Sequence, residues 1–288
     1  MKVAITGANG FIGSALFSRL GQSGYSLVAL TRNPLPNPAG QRCEWIRYSL
    51  QDGIGSSLPE DCETIIHCAY SVSPSGKGDI DLNIHAVKAL LSAAAGRRIV
   101  FISSMSAHGG ALSAYGRGKW AIEGMLRSDA DLVIKPGFVI GPGGIFERLR
   151  RSIRRLPLVP LFYGGNQPIQ TIWVDDLAEA IGRAVERHLT GTLTLGSAEA
   201  ITLRDFYLAI MACDNLRRPL VPVPGAPALA ALRLLEGMGV GLPVSSENLL
   251  GLKALVRFET KPSLDLLGLD LVGLPEALRR AKAAEPPH

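Results

Sequence analysis

Short apolar runs alternate along the chain with stretches whose apolar residues recur at helical spacing. Val3 to Thr6 reads as a buried strand, and Ile12, Leu16 and Leu20 mark one face of a following helix. Leu27–Leu30, Thr64–His67, Arg98–Ile102 and Leu132–Ile134 read as further strands; Leu82–Ala95 and Ala114–Leu126 read as helices. A Pro-rich loop at Pro34, Pro36 and Pro38 ends the second strand. Strands this uniformly apolar, with helices between them, predict a doubly wound α/β fold. Its parallel sheet is covered on both faces, and ligands sit at the carboxyl ends of the strands.

The second half is less regular. Pro136 to Pro142 reads as a Pro/Gly-rich loop and Glu147 to Leu156 as a basic helix. Asp175 to His188 is a helix with Asp175 and Asp176 at its dipole-favoured start. Gly191 to Leu195 is a strand, and Thr202 caps a helix running through Ile210. Pro222 to Pro227 reads as a loop. Ala228 to Leu242, apolar but broken by Arg233, Glu236 and glycines, reads as a helix packed on a second lobe. Glu285 to His288 reads as a frayed end.

Composition narrows the class. With 288 residues, 47% hydrophobic and 19% charged, the chain can bury a large core and is not disordered. A net charge of +5 is too mild to argue for nucleic acid. Cys43, Cys62, Cys68 and Cys213 form no C-x-x-C pair, which predicts reduced thiols in a cytoplasmic protein. With His67, His85, His108, His188 and His288 they form no metal-ligand spacing, so no metal is expected. The uncharged stretch Leu156 to Val174 is interrupted by Pro157, Pro160 and Pro168, so no membrane span is expected there. The opening MKVAITGANG does not read as a signal peptide.

Two motifs carry chemistry. Gly7, Gly10 and Gly13 lie in a Gly-x-x-Gly-x-x-Gly turn between a strand and a helix. Glycines there allow a tight turn and close approach of a pyrophosphate to the helix amides. The ribose-reading position, ~20 residues on, falls in Ala29-Leu30-Thr31-Arg32-Asn33 and holds no carboxylate. Arg32 suits a 2′-phosphate, so NADP(H) is favoured over NAD(H). Further on, Tyr115 and Lys119 are four apart and share a helix face. An ammonium beside a phenol lowers a pKa that is ~10 in free peptides. Ser104, at the carboxyl end of the strand Arg98–Ile102, can hold the same substrate oxygen.

Together, Thr6 to Gly13, Ser103-Ser104, and Tyr115 with Lys119 resemble the short-chain dehydrogenase/reductase superfamily, in its NAD-dependent epimerase/dehydratase branch. Ile134 to Pro142 and Trp173 to Ala178 resemble later segments of that family. The resemblance implies a Rossmann-type domain of residues 1–140 plus about 171–196. A smaller substrate-binding domain takes about 141–170 plus 197–288. It implies a catalytic trio of Ser104, Tyr115 and Lys119. The implied cofactor contacts are Gly7, Asn9, Gly10, Phe11, Ile12, Gly13, Thr31, Arg32, Ser49 and Leu50. Cys68, Ala69, Tyr70, Asn83, Ser103, Tyr115, Lys119 and Pro136 complete that set. The substrate side would take in Met105, Ser106 and Phe138. Pairing of two copies through helices flanking the site is a further implication.

Departures from the family matter for function. Met105 and Ser106 stand where sugar-nucleotide dehydratases place an Asp and a Glu. Phe138 and Ile169 stand where nucleotide-sugar epimerases usually have an Asn and a phosphate-binding Arg. The reading is therefore an NAD(P)(H)-dependent oxidoreductase acting on a secondary alcohol or ketone. The alternatives are a nucleotide-sugar epimerase and a non-catalytic NADPH-binding assembly module. Arg148, Arg150, Arg151, Arg154 and Arg155 form one dense basic run. It reads as a solvated helix face, with Arg148 and Arg151 as candidates for gating an anionic small-molecule substrate.

Overall fold

The structure is a computed structural model that describes residues 1–34, 43–72, 79–240 and 244–285. Its main sheet has eight strands. β1 (Lys2–Thr6), β2 (Ser26–Thr31), β3 (Cys43–Ser49), β4 (Gly53–Ile54), β5 (Cys62–His67), β6 (Arg98–Ile102) and β7 (Leu132–Pro136) are joined by the strand Gly191–Leu195. The spatial order is Gly191–Leu195, β7, β6, β5, β1, β2, β3, β4. All neighbours are parallel except β3 and β4. The chain leaves β1 toward β2 on one side and returns at β5 on the other, so the strand order reverses beside β1. Such a reversal opens a crevice at the strands' carboxyl ends.

Helices cover both faces because alternate strand residues must be buried on each. Val3, Ile5, Leu27 and Ala29 pack with α1 (Phe11–Gln22) and the later helix that buries Leu177, Ile181 and Val185. Ala4, Val28, Leu30 and Ile65 face the other way and pack with Leu90 and Ala94 of α2 (Ile80–Ala94). α3 (Ala114–Glu123) adds Ile122 against Phe101 and Val87. A separate core gathers Phe146 and Ile153 of α4 (Gly144–Arg155) with Leu161 and Trp173 nearby in the chain. α5 (Val174–Glu186), α6 (Leu203–Cys213), α7 (Gly225–Gly237), α8 (Ser246–Lys253), α9 (Lys261–Leu267) and α10 (Leu274–Ala283) complete the helices among the described residues. Phe206 and Ile210 of α6 and Leu278 of α10 belong to this second core.

Several expectations are corrected. Phe138–Ile140, read as loop, is a strand paired in parallel with Thr171–Trp173. Leu220–Val223 pairs with Val159–Phe162, and α7 begins at Gly225 inside the stretch read as loop. Pro227 is tolerated there because the first helical turn has no amide partner to lose. Of α7 only Gly225 is buried, and Leu234 is 66% exposed, so this helix is not packed along its length. Glu285 is anchored by Arg150 and Arg154 rather than frayed. Pro36, Pro38 and residues 241–243 and 286–288 lie outside the described residues. No helix among the described residues is long and apolar enough to cross a membrane.

Candidate active site

The glycine turn leads from β1 into α1. Gly7 has φ +65°, and a Cβ there would stand 3.0 Å from the Ala69 amide nitrogen. A Cβ on Gly13 would fall 2.1 Å from the Gly7 carbonyl oxygen, so only glycine lets the helix start this close to the turn. No side chain caps α1, and its first amides stand open beside the exposed Asn9. This cradle fits a pyrophosphate. Phe11 turns its ring onto Gly141, Gly143 and Gly144, where any Cβ would meet it within 3 Å. Ile12 packs partly against the main core.

The loop after β5 follows β1. The Cys68 amide donates to the Thr6 carbonyl at 3.3 Å, and the Ala69 amide donates to Thr6 Oγ1 at 3.2 Å. Thr6 Oγ1 also meets His67 Nδ1 at 2.8 Å. Burial holds the His67 imidazole down to about 3, with the Lys119 charge adding to the effect. Burial pushes the Cys68 thiol up to about 12. Asn83, expected among the cofactor contacts, is buried: it accepts from the Ser71 amide and donates to the Ser71 and Asp79 carbonyls. It pins the loop that carries Cys68, Ala69 and Tyr70.

At the far end of β2, Arg32 is exposed and bonds no other side chain among the described residues. Thr31 is committed within the protein. Its hydroxyl donates to the Asn33 carbonyl at 2.6 Å and accepts from the Trp45 indole at 3.0 Å. The Ser49 hydroxyl donates to Asp52, and Leu50 packs with Ala69 on the apolar cluster behind β2.

The Ser–Tyr–Lys group sits where β6 ends. Ser113 caps α3, accepting from the Gly116 amide, and sets Tyr115 in the first turn. The half-buried Tyr115 stacks edge-on against Tyr70 at 5.3 Å, and the Tyr70 hydroxyl reaches the Tyr115 carbonyl at 3.5 Å. Lys119 is buried one turn on. Its ammonium donates to the Ile102 carbonyl at 2.6 Å and stands 4.3 Å over the Tyr70 ring and 5.9 Å from that of Tyr115. Burial raises the Tyr115 phenol above its ordinary range, and the neighbouring Ser104 hydroxyl pulls it back. Burial lowers Lys119 to about 7, against the opposing pull of the Glu123 carboxylate. The expectation that the lysine depresses the phenol is therefore corrected: the ammonium faces a carbonyl and ring faces, and burial dominates both groups.

Other expected residues take supporting places. Ser103 turns away, its hydroxyl donating to Glu123 on α3. Pro136 closes β7 and accepts from the Met105 amide at 3.0 Å. Met105 is buried, its sulfur and methyl against Gly137 and Gly196. The Ser106 amide donates to Ser104 Oγ at 3.1 Å. Phe138 meets Phe206 edge-on at 5.1 Å.

The basic run divides. Arg150 and Arg154 turn inward onto Asp214 and Glu285, which corrects the reading of that face as solvated. Arg148 and Arg151 stay exposed, Arg151 pairing with Glu147 at 2.9 Å. His67, Glu123 and Lys135 were not read from the sequence as part of the site, and Thr6 only as the first residue of the glycine motif. The available signal was Glu123, four residues past Lys119, and Lys135, a charge closing an apolar run. A cavity of about 550 Å³ lies between the ends of α1 and α5, and another of about 480 Å³ lies beside Trp120. Neither is lined by the glycine turn, Ser104 or Tyr115.

Comparison with known proteins follows the same lines. The family model described as NAD dependent epimerase/dehydratase family matches residues 3–194. An uncharacterized protein of Mycobacterium tuberculosis is 26% identical over 235 residues, covering 80% of this chain and 25% of that protein. Ceramide reductase of Caulobacter vibrioides is 30% identical over 189 residues, covering 61% of this chain and 58% of that protein. The chain thus matches only about a quarter of the length of the mycobacterial relative. Among solved structures, the human epimerase family protein SDR39U1 with NADPH superposes with a TM-score of 0.77 at 20% identity, covering 99% of this chain and 100% of that one. MoeE5 in complex with UDP-glucose and NAD gives 0.71 at 24% identity, covering 98% and 97%. At these identities the likeness is one of fold.

Proposed function

The chain belongs to the NAD dependent epimerase/dehydratase family, with that family's Rossmann fold, and from this premise we propose that it is an NADP(H)-preferring oxidoreductase acting on a secondary alcohol or ketone. The observation that carries the proposal is the buried Lys119, one turn past Tyr115 on α3, whose ammonium donates to the Ile102 carbonyl at the end of β6, two residues before Ser104. The nicotinamide would supply or accept hydride when bound. The open amides of α1 and the close-packed Gly7 and Gly13 suit the pyrophosphate. Arg32, with no carboxylate beside it at the end of β2, suits a 2′-phosphate. Tyr115 gives or takes the proton of the substrate oxygen, and Ser104 holds that oxygen. Lys119 holds the nicotinamide ribose.

Two positions argue against a nucleotide-sugar substrate. Ile169 is buried in the second core and Phe138 packs on Phe206, so neither can grip a diphosphate. One relative is named a ceramide reductase, and reduction is the direction adopted here. Met105 and Phe138, apolar residues expected on the substrate side, suit an uncharged ketone. The test is NADPH consumption with a panel of alkyl and aryl ketones. Turnover that is lost in Tyr115→Phe while NADPH still binds supports the reading. Full activity in Tyr115→Phe refutes it, and NADPH binding without any turnover favours an assembly module.

A further inference from the structure

Glu123 lies four residues past Lys119, which lies four past Tyr115, so the three share one face of α3. Its carboxylate is 10% exposed and receives two donors, the Ser103 hydroxyl and the Lys135 ammonium, the latter at 2.9 Å. Lys135 also donates to the Ala107 carbonyl and lies between the rings of Trp120, at 5.0 Å, and Phe258, at 5.7 Å. One buried carboxylate thus joins the end of β6, the end of β7, the loop that follows Ser104 and the helix that bears Tyr115. Ser103 precedes Ser104, so a hold on one is a hold on the other.

We propose that Glu123 is a positioning residue for the Tyr115–Lys119 pair. It ties the strand end that presents Ser104 to the catalytic helix and sets a carboxylate one helical turn beyond Lys119. The inference rests on the roles given above to Ser104, Tyr115 and Lys119. A well-packed apolar pair would fill the same space at a smaller desolvation cost. What the ion pair adds is direction, because both carboxylate oxygens are committed and the gap between strand and helix is fixed by two bonds.

Charge points the same way. Lys119 is faced by His67 and Cys68 at the end of β5, by Tyr70 beyond it, by the Phe101 ring and Ile102 carbonyl of β6, and by Tyr115 and Glu123 on its own helix. Burial keeps His67 neutral and the Cys68 thiol protonated, so among these groups Glu123 carries the negative charge.

The chain has eight lysines, few enough for their side-chain resonances to be followed by carbon NMR, with Lys119→Arg assigning Lys119. In Glu123→Gln the Lys119 midpoint falls by about one pH unit, measured with neither cofactor nor substrate. With NADPH and the ketone panel, kcat falls at least about tenfold while KM stays within about threefold. Glu123→Asp, which keeps the charge, restores the midpoint and part of the rate. If Glu123→Gln does not fold, Glu123→Gln with Lys135→Met is read against Lys135→Met alone, so that the carboxylate is the one difference and the Lys119 midpoint falls in the same direction. A Lys119 midpoint unmoved in the folded variant overturns the proposal. A moved midpoint supports it even where wild type turns over no ketone, a result that counts against the enzyme reading alone.

Discussion

Thr6 Oγ1 and His67 Nδ1 meet at 2.8 Å between β1 and β5, both side chains fully buried. The Thr6 oxygen already accepts from the Ala69 amide, so its single proton is free to go to Nδ1, leaving a neutral imidazole with its proton on Nε2. This contact lies at the root of the glycine turn and of the loop after β5. It makes the proposed cofactor cradle sensitive to acid. Burial holds His67 down to about 3, whereas the unfolded chain takes up a proton near 6.5. Between those values the unfolded state binds more protons, so stability falls as pH drops. Urea unfolding of wild type and His67→Asn, whose amide can replace Nδ1, measures the effect. From about pH 7 to about pH 5 wild type should lose roughly 2 kcal/mol more than the variant. Parallel losses would show that His67 is not the group responsible.

Asn83 holds Ser71 by both its amide and its carbonyl, at 2.8 and 3.0 Å. Asn83→Ala leaves those groups without their partner and should cost about 1–3 kcal/mol. Because the pinned loop lies along the proposed cofactor groove, NADPH affinity should fall as well, by about tenfold. Asn83→Asp keeps the acceptor but removes the donor, and should fall between the two. Titration calorimetry and thermal unfolding read the two effects separately, and an unchanged NADPH affinity in Asn83→Ala would detach the loop from the cofactor.

The sheet was legible because its strands are buried on both faces and therefore nearly all apolar; β6 and Gly191–Leu195 begin and end where the pattern places them. β3 was not. Its residues, Cys43 to Ser49, lie near the sheet edge, mix Glu, Arg and Trp, and are mostly exposed or half-buried. Phe138–Ile140 escaped because three residues carry no periodicity and the partner strand comes thirty-odd residues later, a long-range pairing that local pattern cannot register. At the site, the glycine turn, Ser104, Tyr115 and Lys119 were visible as types at a spacing. Which way Ser103 points, and what the Lys119 ammonium faces, depends on β7 and Glu123, and the sequence pattern near Ser103 does not contain them.

The buried clamp of Arg150 and Asp214 should dominate the stability of the second core. Arg150 is 2% exposed and reaches Asp214 and Glu285, while Arg154, 30% exposed, reaches the same pair from one turn away. Burial alone would raise the Asp214 carboxyl, but its bonds to the two guanidinium groups hold it below the ordinary range. A depressed carboxylate adds stability that is present above its unfolded value and lost as pH falls through its folded one. Asp214→Ala leaves the buried Arg150 guanidinium with Glu285 alone and should cost about 3 kcal/mol. Arg154→Ala, on the more exposed partner, should cost about 1 kcal/mol. Equal losses in the two variants, by urea unfolding, would show that burial does not set the value of this cluster.

Lys119 makes the opposite limb of the pH profile. Its ammonium is brought down to about 7 by burial, against a value near 10.4 in the unfolded chain. Above about pH 7 the folded protein gives up that proton while the unfolded chain keeps it, so unfolding becomes harder as pH rises, by at most about 1.4 kcal/mol per pH unit. The rise ends once unfolded thiols ionise, near about pH 8.5, because burial holds the Cys62 and Cys68 thiols protonated in the fold. Lys119→Met should flatten stability between about pH 7 and about pH 8.5. The same proton loss removes the charge assigned to the nicotinamide ribose, so NADPH affinity should weaken over this window in wild type and be flat in the variant. Calorimetric titrations beside the unfolding curves test whether one group governs both. Stability that climbs with pH while NADPH affinity stays constant would leave Lys119 a buried cation of the fold and remove it from the cofactor site.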